Sequence, residues 1–204
     1  MGKYFSVLLV ICSLCIYSDT QAQTFGYLIK QCIAEADQEK AKAAVAIFAP
    51  FFNNPDIAKI GQNIKYDYIV LKNEGIHLKG IVFDTMLASY LLNPSSRGHN
   101  MDALALEHLG HTTIKYKDLV GTASNEIGFD EVEVEKATDY AAEDADVTWR
   151  LYEKLSAFLK GEDFKIFEKL ELPLLEVLGD MELQGMALDK AHLQKLSKRI
   201  HDQL

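Results

Sequence analysis

Apolar positions recur along the chain with two periods, and the alternation between them sets out the elements. Over residues 35–52, Ala43, Ile47, Ala49 and Phe51 are spaced by charges, which predicts an amphipathic helix ended by the turn Asn53–Asn54–Pro55–Asp56. The short apolar stretch IAKIGQN predicts a strand running into a loop, and YDYIVLKNEG returns to helical spacing and closes at Gly75. In IHLKGIVFDTMLASYLLNP a strand is expected around Gly80 to Phe83, then a helix capped by Asp84 or Thr85 that stops before Pro94. MDALALEHLG reads as another amphipathic helix with Gly110 at its end, while His111 to Phe129 is polar and irregular with short strand-like or helical pieces, a connection suited to contacting a partner. VEVEKATDYAAEDADVTWRLYEKLSAFLK predicts a long helix with a break near Thr138. From Phe164 onward the spacing predicts two helices around the turn QGMALD. Short strands alternating with helices place the chain in the α/β class.

The amino terminus admits two readings. Lys3 precedes the 14-residue apolar run YFSVLLVICSLCIY, which is short for a bilayer span, and SDTQAQ follows with Thr20 and Ala22 at plausible cleavage positions. That is the shape of a secretory signal over residues 1–24. VLLVI also has the composition of a buried strand. The first reading would export the protein and the second would keep it in the cytoplasm.

Composition narrows the picture further. A chain of 204 residues, 49% hydrophobic, can bury a core and suits one domain with an appendage. Its net charge of −9 argues against a uniformly basic nucleic-acid-binding face. The charge is uneven, however: Asp118 to Asp146 holds ten acids and one lysine, a local −9, whereas Lys59 to Lys117 holds seven cations against five acids. The rest of the chain is balanced, which leaves room for a local basic groove. Cys12, Cys15 and Cys32 are the only cysteines, so no disulfide framework is expected, and the CxxC of Cys12 and Cys15 has no second pair beside it.

Two stretches offer chemistry. In TDYAAEDADVT, Tyr140 and Asp144 are one helical turn apart and project together, while Asp139, Glu143 and Asp146 point elsewhere and read as solvated or structural. In NIKYDYIVL, Asp67 stands at the start of a helix that follows a strand and loop, a position for either an N-terminal cap or a ligand. Carboxylates delivered by separate elements are what a two-metal nuclease requires to activate water and stabilise a leaving oxygen.

GQNIKYD, FDTMLASYLL, HNMDALA and YAAEDADVTWRL, in this order and spacing, resemble the 3′ to 5′ exonuclease (proofreading) domain of bacterial DNA polymerase I. The resemblance implies a ribonuclease-H-like fold, a mixed central sheet flanked by helices, over residues 35–162. FEKLELPLLEVLGDMELQGMALD resembles the entry to the polymerase domain, so 163–204 is expected to be a helical extension that begins it. The resemblance also implies Asp67 and Asp144 as ligands of Mg²⁺ or Mn²⁺, with Tyr140 beside the attacking water. Gln62, Asn63, Tyr66, Arg97 and Tyr116 are implied to contact the single-stranded 3′ end of DNA. His99 reads as a packing residue, because this chemistry uses hard oxygen ligands.

The family's first motif, an Asp-x-Glu on the opening strand, falls by spacing at or before Met1, so the fold is expected to lack its first strands. Asp19 has Gln21 where the glutamate belongs, and Glu35 and Asp37 stand in the reverse order. An exonuclease weakened or inactive through the loss of two carboxylates is the expectation. The alternatives are a non-catalytic nucleic-acid-binding or remnant module, and an RNA-trimming exonuclease of the ribonuclease D kind.

Overall fold

A computed structural model describes residues 15–16, 46–122 and 125–203. Its sheet has three strands among these residues, in the order β1 (Cys15–Ile16), β2 (Lys59–Gly61), β3 (Ile81–Asp84). β1 runs antiparallel to β2, with Cys15 opposite Ile60, and β2 runs parallel to β3, with Gly61 opposite Asp84. The parallel pair needs a crossover, supplied by α2 (Ile64–Asn73). The amino-terminal apolar run thus contributes a strand to the sheet at Cys15–Ile16, while the rest of it, with Cys12 and Cys32, lies outside the described residues.

The first described helix, α1 (residues 46–52), lies in a different phase from the one expected. Phe48 and Phe52, one turn apart, are buried, whereas Ile47 is 66% exposed. Burying two phenylalanines removes more apolar area than burying Ile47, and the helix takes the roll that does so. Next come α3 (Thr85–Leu92) and α4 (Met101–Leu104), which continues through a wide turn over Ala105–Leu109 and ends at Gly110 with φ 64°. A short α5 (Tyr116–Val120) is a helical piece of the kind expected within the irregular segment.

α6 (Val134–Phe158) is continuous, without the break expected near Thr138. Ala137, Ala141, Val147, Leu151 and Leu155 are buried along it, so one apolar stripe runs its length. No glycine or proline interrupts that stripe. Its first half packs in a cluster with Ile64, Tyr68 and Leu71 of α2, through Ala141, and its second half packs with Ile60 and Phe83 of the sheet.

The carboxy-terminal part is α7 (Gly161–Ile166), a wide turn over Phe167–Glu171, α8 (Leu172–Gln184) and α9 (Lys190–His201). Phe167 is buried with its ring 4.9 Å from that of Phe83, and Leu175 is buried in the cluster of Ile64 and Leu71. The helical extension therefore shares the core of the sheet unit. No helix among the described residues is long and apolar enough to cross a membrane.

Candidate active site

Asp84 places the two helices that follow the parallel strands. It is buried at the end of β3, where Oδ1 accepts from the Leu87 amide at 2.9 Å and Oδ2 from the Ile64 amide at 2.6 Å. One carboxylate thus closes the N-termini of α3 and α2 together, a geometry that favours negative charge. Burial nevertheless pushes its pKa up, against the pull of the backbone amides of Leu87, Ile64, Asn63 and Met86. The cap of α3 is Asp84 rather than Thr85, whose hydroxyl bonds to the Gly61 carbonyl and the Gln62 side chain.

α2 begins at Asn63, the one non-glycine described residue with positive φ (φ 57°, ψ 45°), and Asn63 makes no side-chain capping bond. This left-handed residue is costly in the middle of a chain and marks the sharp entry from β2 into α2. Within the first turn Tyr66 is exposed and Asp67 is buried. Gln62, expected at the 3′ end of DNA, has its amide engaged internally: Nε2 donates to the His99 carbonyl at 2.8 Å, and Oε1 accepts from Thr85. Its visible task is to fix the loop of residues 93–100, in which Arg97 is exposed. His99 is a packing residue as expected, with Nδ1 2.9 Å from Ser89 Oγ and its ring edge-on to Tyr90.

On α6 the Tyr140 hydroxyl donates to the Asp144 carboxylate one turn on. Burial, the Glu143 charge and the Asp102 charge push Asp144 up to about 7, despite the bond from Tyr140. Burial and the neighbouring Asp144 carboxylate raise the Tyr140 phenol, so it remains a proton donor. Tyr140 also lies in an aromatic trio, 6.3 Å from Tyr116 and 6.0 Å from Phe129 between ring centroids. Tyr116 and Phe129 are stacked, 5.6 Å apart and 6° from parallel. Tyr116 is 48% exposed and Phe129 is buried, so the stack presents one face of Tyr116 outward.

The loop leading to Tyr116 is held by two acids that the sequence reading gave no role at the site. Glu143 accepts from His111 Nε2 at 2.7 Å and from the Ile114 amide at 2.6 Å. Asp102 accepts from Thr113 and Lys115, and these bonds hold it below the usual carboxylate range although burial opposes this. Asp102 was within the quoted stretch HNMDALA, but nothing in its spacing pointed to a partner eleven residues on. Asp139 is exposed, and Asp146 is exposed and pairs with Arg150 at 3.4 Å.

The cations of residues 59–117, which leave room for a basic groove in the sequence, are mostly buried or paired. Lys59 is buried, donating to the Asn54 carbonyl at 2.5 Å above the Phe51 ring, and burial pulls its pKa down to about 8. Lys65, Lys72 and Lys115 pair with Glu182, Asp180 and Asp102. Lys79, Arg97 and Lys117 are the exposed remainder.

Asp67 and Asp144 are hard oxygen donors of the kind that suit Mg²⁺ or Mn²⁺, and Asp144 lies where added positive charge would be welcome. Among the described residues no three of His, Cys, Asp and Glu gather into a group that could hold a metal. Asp-x-Glu is spelled twice in the chain at positions the spacing argument passed over. Asp37–Gln38–Glu39 lies outside the described residues, and Asp180–Met181–Glu182 lies on α8 with both carboxylates bound to lysines of α2.

Comparison with known proteins gives the family and the fold. A family model described as 3′-5′ exonuclease matches residues 5–160, a span that takes in the amino-terminal apolar run. The chain is 45% identical over 142 residues to DNA polymerase I of Rhizobium leguminosarum, covering 69% of this chain and 14% of that protein. To DNA polymerase I of Pseudomonas aeruginosa it is 37% identical over 172 residues, 82% of this chain and 19% of that one. It thus spans less than a fifth of the length of either relative. A solved structure of the POL domain of Pol1 from M. smegmatis, in complex with DNA primer-template and dNTP, shares the fold with a TM-score of 0.63. That likeness has 24% identity and covers 82% of this chain and 25% of the other.

Proposed function

Because the chain belongs to the 3′ to 5′ exonuclease family of DNA polymerase I, on an α/β fold of the ribonuclease-H-like kind, we propose that it acts on the 3′ end of single-stranded DNA in the cytoplasm. The observation that carries this reading is the Tyr140–Asp144 pair, half-buried beside the outward-facing ring of Tyr116. Asp67 and Asp144 would hold the divalent cation, Mg²⁺ or Mn²⁺. Such an ion supplies activation of water and charge stabilisation at a phosphodiester. Tyr140 keeps its proton and offers it as a hydrogen bond at the position where Asp144 and an attacking water would meet. Tyr116 and Tyr66, both exposed, supply stacking faces for terminal bases. Asn63 and Arg97 lie exposed at the mouths of their loops, and Gln62 holds the Arg97 loop.

Two carboxylate ligands among the described residues are few for a pair of hard cations, which supports weak metal affinity and slow turnover. The strand at Cys15–Ile16 and the family match from residue 5 support reading the amino-terminal run as part of the domain rather than a leader. A 5′-labelled single-stranded oligonucleotide incubated with Mg²⁺ or Mn²⁺ tests the reading. Stepwise shortening that is lost in Asp144→Asn is expected. Salt-dependent binding with no shortening would instead support the non-catalytic module, and preference for an RNA oligonucleotide would support the ribonuclease-D-like alternative.

A further inference from the structure

α8 lies beyond residue 160, where the family match ends, yet it grips the helix that carries Asp67. The Tyr68 hydroxyl donates to Asp180 Oδ1 at 2.7 Å, and Lys72 Nζ reaches both Asp180 Oδ1 and the Tyr68 hydroxyl, the latter at 2.9 Å. Lys72 also sits over the Tyr68 ring, 5.0 Å from its centroid. One helical turn either side, Lys65 pairs with Glu182, and Leu175 is buried with Ile64 and Leu71. Gly179 faces the Tyr68 ring so closely that a Cβ there would lie 2.7 Å from Cδ1. A half-exposed ion pair alone stabilises little. Here two donors, which also bond to each other, share one carboxylate oxygen beside a glycine contact that admits no side chain, so the arrangement specifies position more than it adds stability.

The need for such a grip follows from how α2 starts. Asp84 fixes its first amide and the Asn63 carbonyl accepts from the Tyr66 amide, but Asn63 is left-handed and supplies no side-chain cap, so the N-terminus alone leaves the roll of α2 about its axis open. Tyr68 follows Asp67 directly, and a small roll would carry Asp67 and Tyr66 with it. We infer that α8 is a positioning element for the candidate site, with Asp180 as its central residue and Gly179 as the seat of the Tyr68 ring. Its value at a DNA end rests on the function proposed above, whereas its hold on α2 does not.

Hydrogen exchange and oligonucleotide binding, measured on the whole chain, separate the two. In Asp180→Ala the amides of residues 64–73 should exchange about tenfold faster while those of 147–158 stay unchanged. Asp180→Asn keeps an oxygen acceptor for Tyr68 and Lys72 and should restore near-native exchange. Unchanged exchange in 64–73, or equal acceleration in both segments, would overturn the inference. Binding of a 3′-fluorescein oligo(dT) in EDTA should weaken about three- to tenfold in Asp180→Ala and recover in Asp180→Asn. Faster exchange with unaltered binding would also overturn the positioning role. If the native chain binds no oligo(dT), the proposed function fails and the exchange measurement still decides whether α8 holds α2.

Discussion

The Tyr140 hydroxyl donates to Asp144 one turn further along α6, and the acids that act on Asp144 are Glu143 and Asp102. A carboxylate surrounded in this way is poorly served by the protein itself. It either keeps a proton near neutral pH or takes up a cation, and which one it does is measurable.

Burial first, then the Glu143 charge, raise Asp144 from an ordinary 3.8 to about 7. Between those values the folded chain binds a proton that the unfolded chain has lost, so this group lowers stability as pH rises from about 4 to 7. Asp144→Asn should therefore be more stable than the native chain at pH 8, by on the order of 1–3 kcal/mol, and equal to it below pH 4. Urea unfolding at the two pH values is the measurement. Equal stability at pH 8 would mean that Asp144 is ionised at no cost.

Glu143 is the staple of the loop that delivers Tyr116. Glu143→Ala would strand the Ile114 amide and the His111 ring and should cost about 1–3 kcal/mol. Glu143→Gln retains an acceptor and should lose about half of that. The Ile114 amide should gain the largest increase in exchange rate in either variant. Protection at Ile114 equal to that of the native chain would remove Glu143 from this role.

The fold was legible in sequence wherever one local rule governed the outcome. β2, α2, β3 and α3 stand within a residue or two of expectation because Gly75, Asp84 and Pro94 mark their ends. The roll of α1 was not legible, since choosing Phe48 and Phe52 over Ile47 depends on what the helix packs against. The same limit applies to charge. Lys65 and Lys72 counted only towards a local excess of cations, because their partners Glu182 and Asp180 lie more than a hundred residues away. Tyr140 and Asp144 were visible because one helix places both. Glu143 passed as a solvated or structural acid because its partners come from another segment.

Asp84 is the most consequential of the buried polar groups, since it accepts from first-turn amides of two helices at once. Asp84→Ala should lower stability by about 2–4 kcal/mol, the sum of two lost caps. Asp84→Asn keeps one good acceptor and should fall between that variant and the native chain. Thermal unfolding followed by circular dichroism would register both. A loss no greater than that of a single cap would show that only one of the two helix starts depends on Asp84.

Tyr116 separates stacking from simple surface exposure. Its inner face lies parallel to Phe129, which prepositions the ring at no further entropic cost when a base arrives on the other side. Tyr116→Phe keeps that stack and should bind single-stranded DNA within about twofold of the native chain. Tyr116→Ala removes it and should weaken binding by about 5- to 100-fold, corresponding to about 1–3 kcal/mol per stacked base. The salt dependence should stay the same in both, because no phosphate contact is lost, whereas Arg97→Ala should reduce the slope by about one. Fluorescence anisotropy of a labelled oligonucleotide at several salt concentrations gives all three values. If Tyr116→Ala binds as tightly as the native chain, the Tyr116–Phe129 stack is a feature of the core and bases are held elsewhere.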